Sequence, residues 1–314
     1  MQIDPAHLET HRVPLTGHCY RMMGSLIDAD DAVQLTMERA WKNLSRFDGR
    51  SSLRTWLYRI ATNVCLDLLG ERARRERPIE RGTPGNVGDP LPSLPREHWV
   101  EPALDSLVIP SDADPSEQLV LRQSIRLAFV TALQHLPARQ RAVLLLAEVL
   151  GWPASDIAEN LETSVASVNS ALQRARATLS ALELDERPTQ LTAEQATTVA
   201  RYVDAFLRYD VESLVGLLRD DATLSMPPID FWIQGPESIR AWLNGPGFGC
   251  KGSKLQPISV NGLPAFAQWR HDDARGFIPW AVLVLELDGD RISGWNAYLD
   301  VAKLFPRFGL AATP

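Results

Sequence analysis

The sequence predicts a multidomain chain: two all-α blocks, a helical bundle and then a helix-turn-helix, followed by an α+β domain. Three observations predict it. Apolar residues recur at helical spacing over 8–77 and again over 116–183. A Pro-, Gly- and Asp-rich stretch, 78–115, lies between those blocks. Beyond Ala222 the pattern changes to short apolar runs with Asp-Gly turn signals, the chemistry of strands and hairpins. The expected division is 1–77, a linker 78–115, 116–184 and 190–314.

In the first block, DADDAVQLTMERAWKNL (28–44) puts Val33, Met37, Ala40, Trp41 and Leu44 on one helix face, with acids at the start where the helix dipole favours them. FDGRSS (47–52) reads as a turn. The next helix, LRTWLYRIATNVCLD from Leu53, buries Leu53, Trp56, Leu57, Ile60, Val64 and Leu68 on one stripe. That leaves Arg54, Tyr58, Arg59, Thr62 and Asn63 on the rest of the cylinder. Ordinary soluble helices carry Glu/Lys pairs there. The helix is expected to run into ERARRERP (71–78) and to stop at Pro78.

The 78–115 stretch has no helical period, but its HWVEP and LVIP carry apolar residues, so part of it is expected to pack. In the second block, SEQLVLRQSIRLAFVTALQHL has Leu119, Ile125, Phe129 and Leu133 in register, and Pro137 opens a mostly apolar helix. PASDIAENLETSVASVNSALQRARATL then has the shape of a helix-turn-helix. Ile157, Ala158 and Leu161 face inward, a tight turn lies at 162–164, and a second helix has Val168, Ala171, Leu172, Ala175 and Leu179 inside. Ser167, Asn169, Ser170, Gln173, Arg174 and Arg176 remain outside, residue types that suit base edges and phosphates in a major groove. A plain helical hairpin with a solvated polar face fits the same spacing.

Composition limits the function. The chain has 314 residues, 45% apolar and 23% charged, and is globular. Its formal net charge of -7 excludes bulk attraction to nucleic acid, so any such contact must use local patches. Lysine occurs only at Lys42, Lys251, Lys254 and Lys303, the remaining cations being Arg. Arg suits bidentate phosphate contacts, and a GC-rich genome gives the same bias. Cys19, Cys65 and Cys250 are far apart and include no CxxC, so no disulfide framework, zinc site or cofactor is expected. The N-terminus is polar, and no apolar run approaches the roughly 18 residues a membrane span needs. A cytoplasmic location is expected.

DADDAVQLTMERAW, FDGRSSLRTWLYRIATNVCLDLL and the LPARQRAVLLLAEVLGWPASDIAENLETSVASVNSALQRARATL block together resemble bacterial sigma factors of the extracytoplasmic-function (ECF) group over roughly 8–183. The resemblance implies sigma region 2 in the first block and region 4 in the second. It implies core RNA polymerase (β′ clamp and β flap) and promoter DNA as partners, with the linker threading towards the active-site and RNA-exit channels. It assigns −10 contacts to Phe47, Asp48, Gly49, Arg50, Ser51, Ser52, Arg54, Tyr58, Arg59 and Asn63. A base flipped from the melted strand would enter a pocket beside the 47–52 loop, where cations and planar groups are needed. It assigns −35 contacts to Ser164, Ser167, Asn169, Ser170, Gln173, Arg174 and Arg176, and polymerase contacts to Asp31, Gln34, Glu38, Arg39 and Trp41. Leu35 and Gly70 depart from the family pattern, which usually has Glu and a basic residue there.

After a charged joint, DERPTQ (185–190), one or two helices over 192–219 and the following strands resemble the SnoaL-like α+β fold, a helix pair on a curved sheet forming a cone. Met226, Trp232, Trp269, Trp280 and Asp300 are the candidates for lining a pocket in that cone. His271, Asp272 and Asp273 sit in a polar stretch that reads as a hairpin turn. The expected role of this domain is regulatory contact with the sigma core rather than catalysis, its tail (Leu304, Phe305, Phe308, Leu310) docking between domains. The rival readings are a cone that binds or converts a small molecule, and an ordinary helix-turn-helix repressor, which leaves 28–67 unexplained.

Overall fold

The computed structural model describes residues 6–70, 74–182 and 191–314. The chain folds as two units, Met1–Arg75 with Val100–Glu186, and Glu76–Trp99 with Arg187–Pro314. The expected linker is therefore divided. Its first part belongs to the C-terminal unit, and its second part to the helical unit.

The helical unit starts with a single turn, α1 (Ala6–Glu9), and α2 (Arg12–Met23). Gly24, at φ +67°, ends α2 because that left-handed conformation suits a residue without Cβ. The Ser25 hydroxyl then caps α3 (Leu26–Asn43), accepting from the Asp28 amide at 3.1 Å. Val33, Met37 and Ala40 are buried as expected, but Trp41 is 60% exposed on the opposite side. In α4 (Leu53–Leu69), Leu57 and Val64 are buried, and so are Tyr58 and Thr62. α4 packs on α2 as well as α3, so a second side of its cylinder is covered. A single-stripe reading cannot see a second covering helix. The helix ends at Leu69, before ERARRERP: Gly70 takes φ +38° and its amide bonds Leu66 O at 3.3 Å. Residues 74–77 are not helical, and 71–73 lie outside the described residues, as does the 185–190 joint.

After the short α5 (Asp105–Val108) come α6 (Pro115–Ser124), α7 (Leu127–Gln134) and α8 (Ala138–Leu144). The single helix expected over 116–136 is broken at Ile125–Arg126, which leaves Leu119 47% exposed rather than in register with the buried Leu133. α8 continues as a π-helical turn, Leu145–Val149. The helix-turn-helix is present as α9 (Ala154–Asn160) and α10 (Val165–Ser180). Glu162 turns the chain at φ +50°, and Ser164 caps α10, accepting from the Ser167 amide at 3.1 Å. Ile157, Leu161 and Val168 form the small core beneath it. α2 also packs on α7 and α8, and α4 on α8. Arg21 Nε donates to Ser124 Oγ at 2.7 Å, and Arg141 donates to Gln134 Oε1 at 2.7 Å and to the Met22 carbonyl.

The C-terminal unit has α11 (Ala193–Arg208), α12 (Val211–Val215), β1 (Leu218–Ser225), β2 (Trp232–Gln234), α13 (Pro236–Asn244), β3 (Lys254–Val260), β4 (Leu263–Asp272), β5 (Gly276–Asp288), β6 (Arg291–Tyr298) and α14 (Val301–Arg307). The strand order is β2-β1-β6-β5-β4-β3, and only the β1–β6 pairing is parallel. One sheet face carries the core. Alternation sends Leu224, Leu283, Leu285 and Trp295 against Tyr202, Phe206 and Leu243 of the helices. Ring centroids of Tyr202, Phe206, Phe266 and Trp295 lie 5.2–5.9 Å apart, the spacing of a packed aromatic cluster. α14 packs on β5, with Leu304, Phe305 and Phe308 buried. The Phe305 ring meets Trp269 at 5.3 Å, and Trp269 Nε1 donates to Ala311 O. The tail thus finds its apolar partner on the sheet of its own unit.

Candidate functional site

The 47–52 loop is ordered by short-range bonds. Asp48 accepts from the Arg50 amide at 3.1 Å and from its guanidinium at 2.5 Å, and Gly49 takes φ +74°. The Arg50 amide, followed by its side chain, holds the Asp48 carboxyl below the ordinary range. Phe47 tilts against Trp56 with ring centroids 5.3 Å apart. Arg50, Ser52 and Asn63 are exposed, and Ser51 is half-buried. Ser52 caps α4, accepting from the Thr55 amide at 3.0 Å.

Two expected −10 residues are engaged by carboxylates from the second block. Arg54 Nη2 lies 2.5 Å from Glu117 Oε1, and Arg59 makes two bonds to Glu159, at 3.0 and 3.4 Å. Arg54, Thr55 and Tyr58 line an open cleft of about 590 Å³ together with Glu117, Leu150 and Trp152. Tyr58, expected on the outer face, is 4% exposed and stands edge-on to His18, with 5.3 Å between ring centroids. Burial between α2 and α4 removes its ring as an open stacking platform. Below it, Thr62 donates to Tyr58 O at 2.8 Å, so His18 Nε2, 3.0 Å from the Thr62 oxygen, is the protonated ring nitrogen. Burial, then the charge of Arg21, lowers the His18 pKa to about 3.

The other two surfaces are open. On α3, Asp31, Gln34, Glu38 and Trp41 follow one exposed stripe, and Arg39 beside it pairs with Asp67 at 3.0 Å. On α10, Ser164, Ser167, Asn169, Ser170, Gln173, Arg174 and Arg176 are all exposed. Arg174 bonds Ser170 Oγ at 2.6 Å, and Arg176 pairs with Glu148.

The candidate pocket residues of the C-terminal unit have separate polar or ring partners, although Met226 and Trp280 share one core. Met226 is in the core, Trp232 Nε1 faces Arg81 O, and Trp269 faces the tail. Trp280 lies 3.9 Å under the Arg270 guanidinium, and Asp300 pairs with Lys303 at 3.4 Å. His271, Asp272 and Asp273 are at the β4–β5 turn, as the hairpin reading expects. Among the described residues no group of three or more His, Cys, Asp or Glu is placed to hold a metal ion, and no helix is long and apolar enough to cross a membrane.

Sequence reasoning missed the clasp on this unit. Segment 76–99 runs beside edge strand β2, with Gly85 N bonded to Trp232 O at 2.8 Å and Leu94 N to Pro228 O at 3.0 Å. Trp99 Nε1 donates to Pro228 O at 3.1 Å, Val87 packs on the core, and Arg77 reaches Glu286 and Asn296. Trp99 of HWVEP was the visible signal, but nothing in the sequence tied it to Pro228, 129 positions away.

Residues 8–75 match the family described as Sigma-70 region 2, 126–179 match Sigma-70, region 4, and 199–295 match the SnoaL-like domain. The chain is 44% identical over 314 residues to the ECF RNA polymerase sigma factor SigG of Mycobacterium tuberculosis, covering 97% of this chain and 83% of that one. It is 31% identical over 166 residues to the ECF RNA polymerase sigma factor SigW of Bacillus subtilis, covering 51% and 78%. The crystal structure of the Mycobacterium tuberculosis ECF sigma factor SigJ shares the fold, with a TM-score of 0.59 at 21% identity over 93% of this chain and 94% of that one. Two helical blocks of the sigma-70 type, the second carrying a helix-turn-helix, define a transcription-initiation factor. The chain belongs to the ECF sigma factors and carries a C-terminal SnoaL-like domain.

Proposed function

We propose that this sigma factor is tuned by its own C-terminal unit, which binds the segment joining regions 2 and 4 and contains no catalytic centre. The observation that carries this is the placement of Glu76–Trp99 with the C-terminal unit. A segment hydrogen-bonded to residues 228–232 is not available to thread into polymerase channels, so its release would accompany engagement of the enzyme. In this reading the exposed α3 stripe meets the β′ clamp, the helix-turn-helix end of the second block meets the β flap, and the exposed face of α10 reads the −35 element. The 47–52 loop with Arg59 and Asn63 takes the melted −10 strand. The protein acts in the cytoplasm, where its polymerase is, and needs no cofactor.

Run-off transcription with core polymerase tests the reading by comparing the full chain with one ending near Asp185. The shortened chain, its segment no longer clasped, is expected to give more transcript per bound polymerase. Equal transcript from both at equal polymerase occupancy overturns the tuning role.

A further inference from the structure

A polar row crosses the sheet face opposite the helix-covered core. Ser225 on β1 and Asn296 on β6 are register partners, and Glu286 on β5 lies diagonally beside Asn296. Ser225 Oγ donates to Asn296 Oδ1 at 2.8 Å, and Asn296 Nδ2 donates to Glu286 Oε1 at 2.9 Å. Ser225 and Asn296 are each 1% exposed. Gly294, the register partner of Glu286, leaves room for this carboxylate: a Cβ there would stand 3.2 Å from Glu286 Cβ and 3.3 Å from Oε1.

The chain fills this row from outside the sheet. Arg77 Nη2 donates to Glu286 Oε1 and, at 3.2 Å, to Asn296 Oδ1. Its side chain is buried, and its backbone is fixed by the bond from Arg77 N to Glu80 Oε2 at 3.0 Å. One terminal guanidinium nitrogen carries two hydrogens in a fixed plane, and here two acceptors stand ready for them. The Glu286 side chain keeps only 18% of its surface exposed, and a carboxylate so largely withdrawn from water favours a cation beside it, so the row suits an occupant.

We propose that Ser225, Asn296 and Glu286 form a guanidinium-binding site on the C-terminal sheet, and that Arg77 is its built-in ligand, the anchor that holds segment 76–99 in the clasp. This rests on the reading of that segment as the regulated element. The ligand class is the guanidinium rather than an ammonium, because the Arg77 side chain keeps only 8% of its surface exposed and a guanidinium is the more weakly hydrated cation, cheaper to bury. Losing the anchor removes the guanidinium from Glu286 Oε1 and Asn296 Oδ1 and lets the segment leave residues 228–232.

Hydrogen exchange on the full-length chain tests it. The Gly85 and Leu94 amides report the clasp, because each bonds a carbonyl in 228–232. In Arg77→Ala these amides are expected to exchange at least about tenfold faster. Millimolar methylguanidinium is expected to restore the slow rate, methylammonium is not, and rescue is expected to vanish when Glu286→Gln is added. Unchanged protection in Arg77→Ala, equal rescue by both cations, or rescue that survives Glu286→Gln overturns the site. Exchange of the β4–β5 hairpin checks that the sheet stays folded. If it does not, Arg77→Lys decides: faster exchange at Gly85 and Leu94 supports a guanidinium-selective site, and the wild-type rate overturns it. Run-off transcription separates the two claims. A freed segment with unchanged transcript leaves the site standing and sinks the tuning role. More transcript from the shortened chain with a still-protected segment in Arg77→Ala does the reverse.

Discussion

Arg59 on α4 and Glu159 on α9 form a two-bond ion pair, Nη1–Oε1 at 3.0 Å and Nη2–Oε2 at 3.4 Å, across 100 positions of sequence. The cation expected to meet the melted strand is thus held by a carboxylate of the helix-turn-helix. Glu159→Gln is expected to raise the free protein's affinity for a single-stranded −10 oligonucleotide. Glu159 is 70% exposed, so the pair is worth about 0.2–1 kcal/mol, or roughly 1.5- to 5-fold in affinity. Fluorescence anisotropy at low salt measures it, and the gain should shrink as salt screens the charges.

Arg59→Ala and Asn63→Ala are expected to lower promoter opening while leaving polymerase binding intact. Each removes hydrogen bonds to an unstacked base or its phosphate, about 1–3 kcal/mol or roughly 5- to 150-fold. Permanganate footprinting of the melted region reads the loss, and co-sedimentation with core polymerase reads the binding. Loss of both together would assign these residues to folding instead.

Trp41 is 60% exposed at the end of the α3 stripe. An exposed tryptophan contributes little to the fold, so Trp41→Ala should change stability by no more than about 0.5 kcal/mol. As an interface anchor it should cost about 2 kcal/mol in polymerase affinity, roughly 30-fold. Titration of labelled protein against core polymerase gives the number.

His18 supplies a pH dependence. Its folded pKa of about 3 lies below the ordinary value of 6.5, so the unfolded chain takes up the proton first as pH falls. The stabilising effect of the neutral ring is complete above pH 6.5 and is lost between 6.5 and about 3, at up to about 1.4 kcal/mol per pH unit. His18→Gln keeps a donor for Thr62 and is expected to flatten the slope of unfolding free energy from pH 6.5 to 5. An unchanged slope would move the dependence to other groups.

The residue patterns of single elements were readable where one element decides them. Ser164, Val168 and Ala175 set the start and the inner stripe of α10 by local capping and periodicity. The resemblance of 28–67 to sigma region 2 gave the 47–52 loop its expected use. Tyr58 shows where that reading stops. Its spacing places it off the main stripe, and only the arrival of α2 on that side buries it. Trp41 errs in the other direction, apolar in type but exposed, because a hydrophobic pattern does not show which apolar residues the packed neighbours will cover. The break at Ile125–Arg126 was likewise invisible, because both halves are helical by composition and tertiary packing sets the angle between them.

By itself, the sequence determined the periods, the caps, the turn glycines and the three successive matches to known families, all carried by residues near one another along the chain. The tertiary structure decided which charges meet. Arg59 finds Glu159, Arg54 finds Glu117, and Arg77 finds Glu286 across 209 positions. An ion pair needs only a few ångströms of space and is indifferent to sequence separation, so the pairing of the proposed −10 arginines and the anchor of the clasp exist only once the chain has folded.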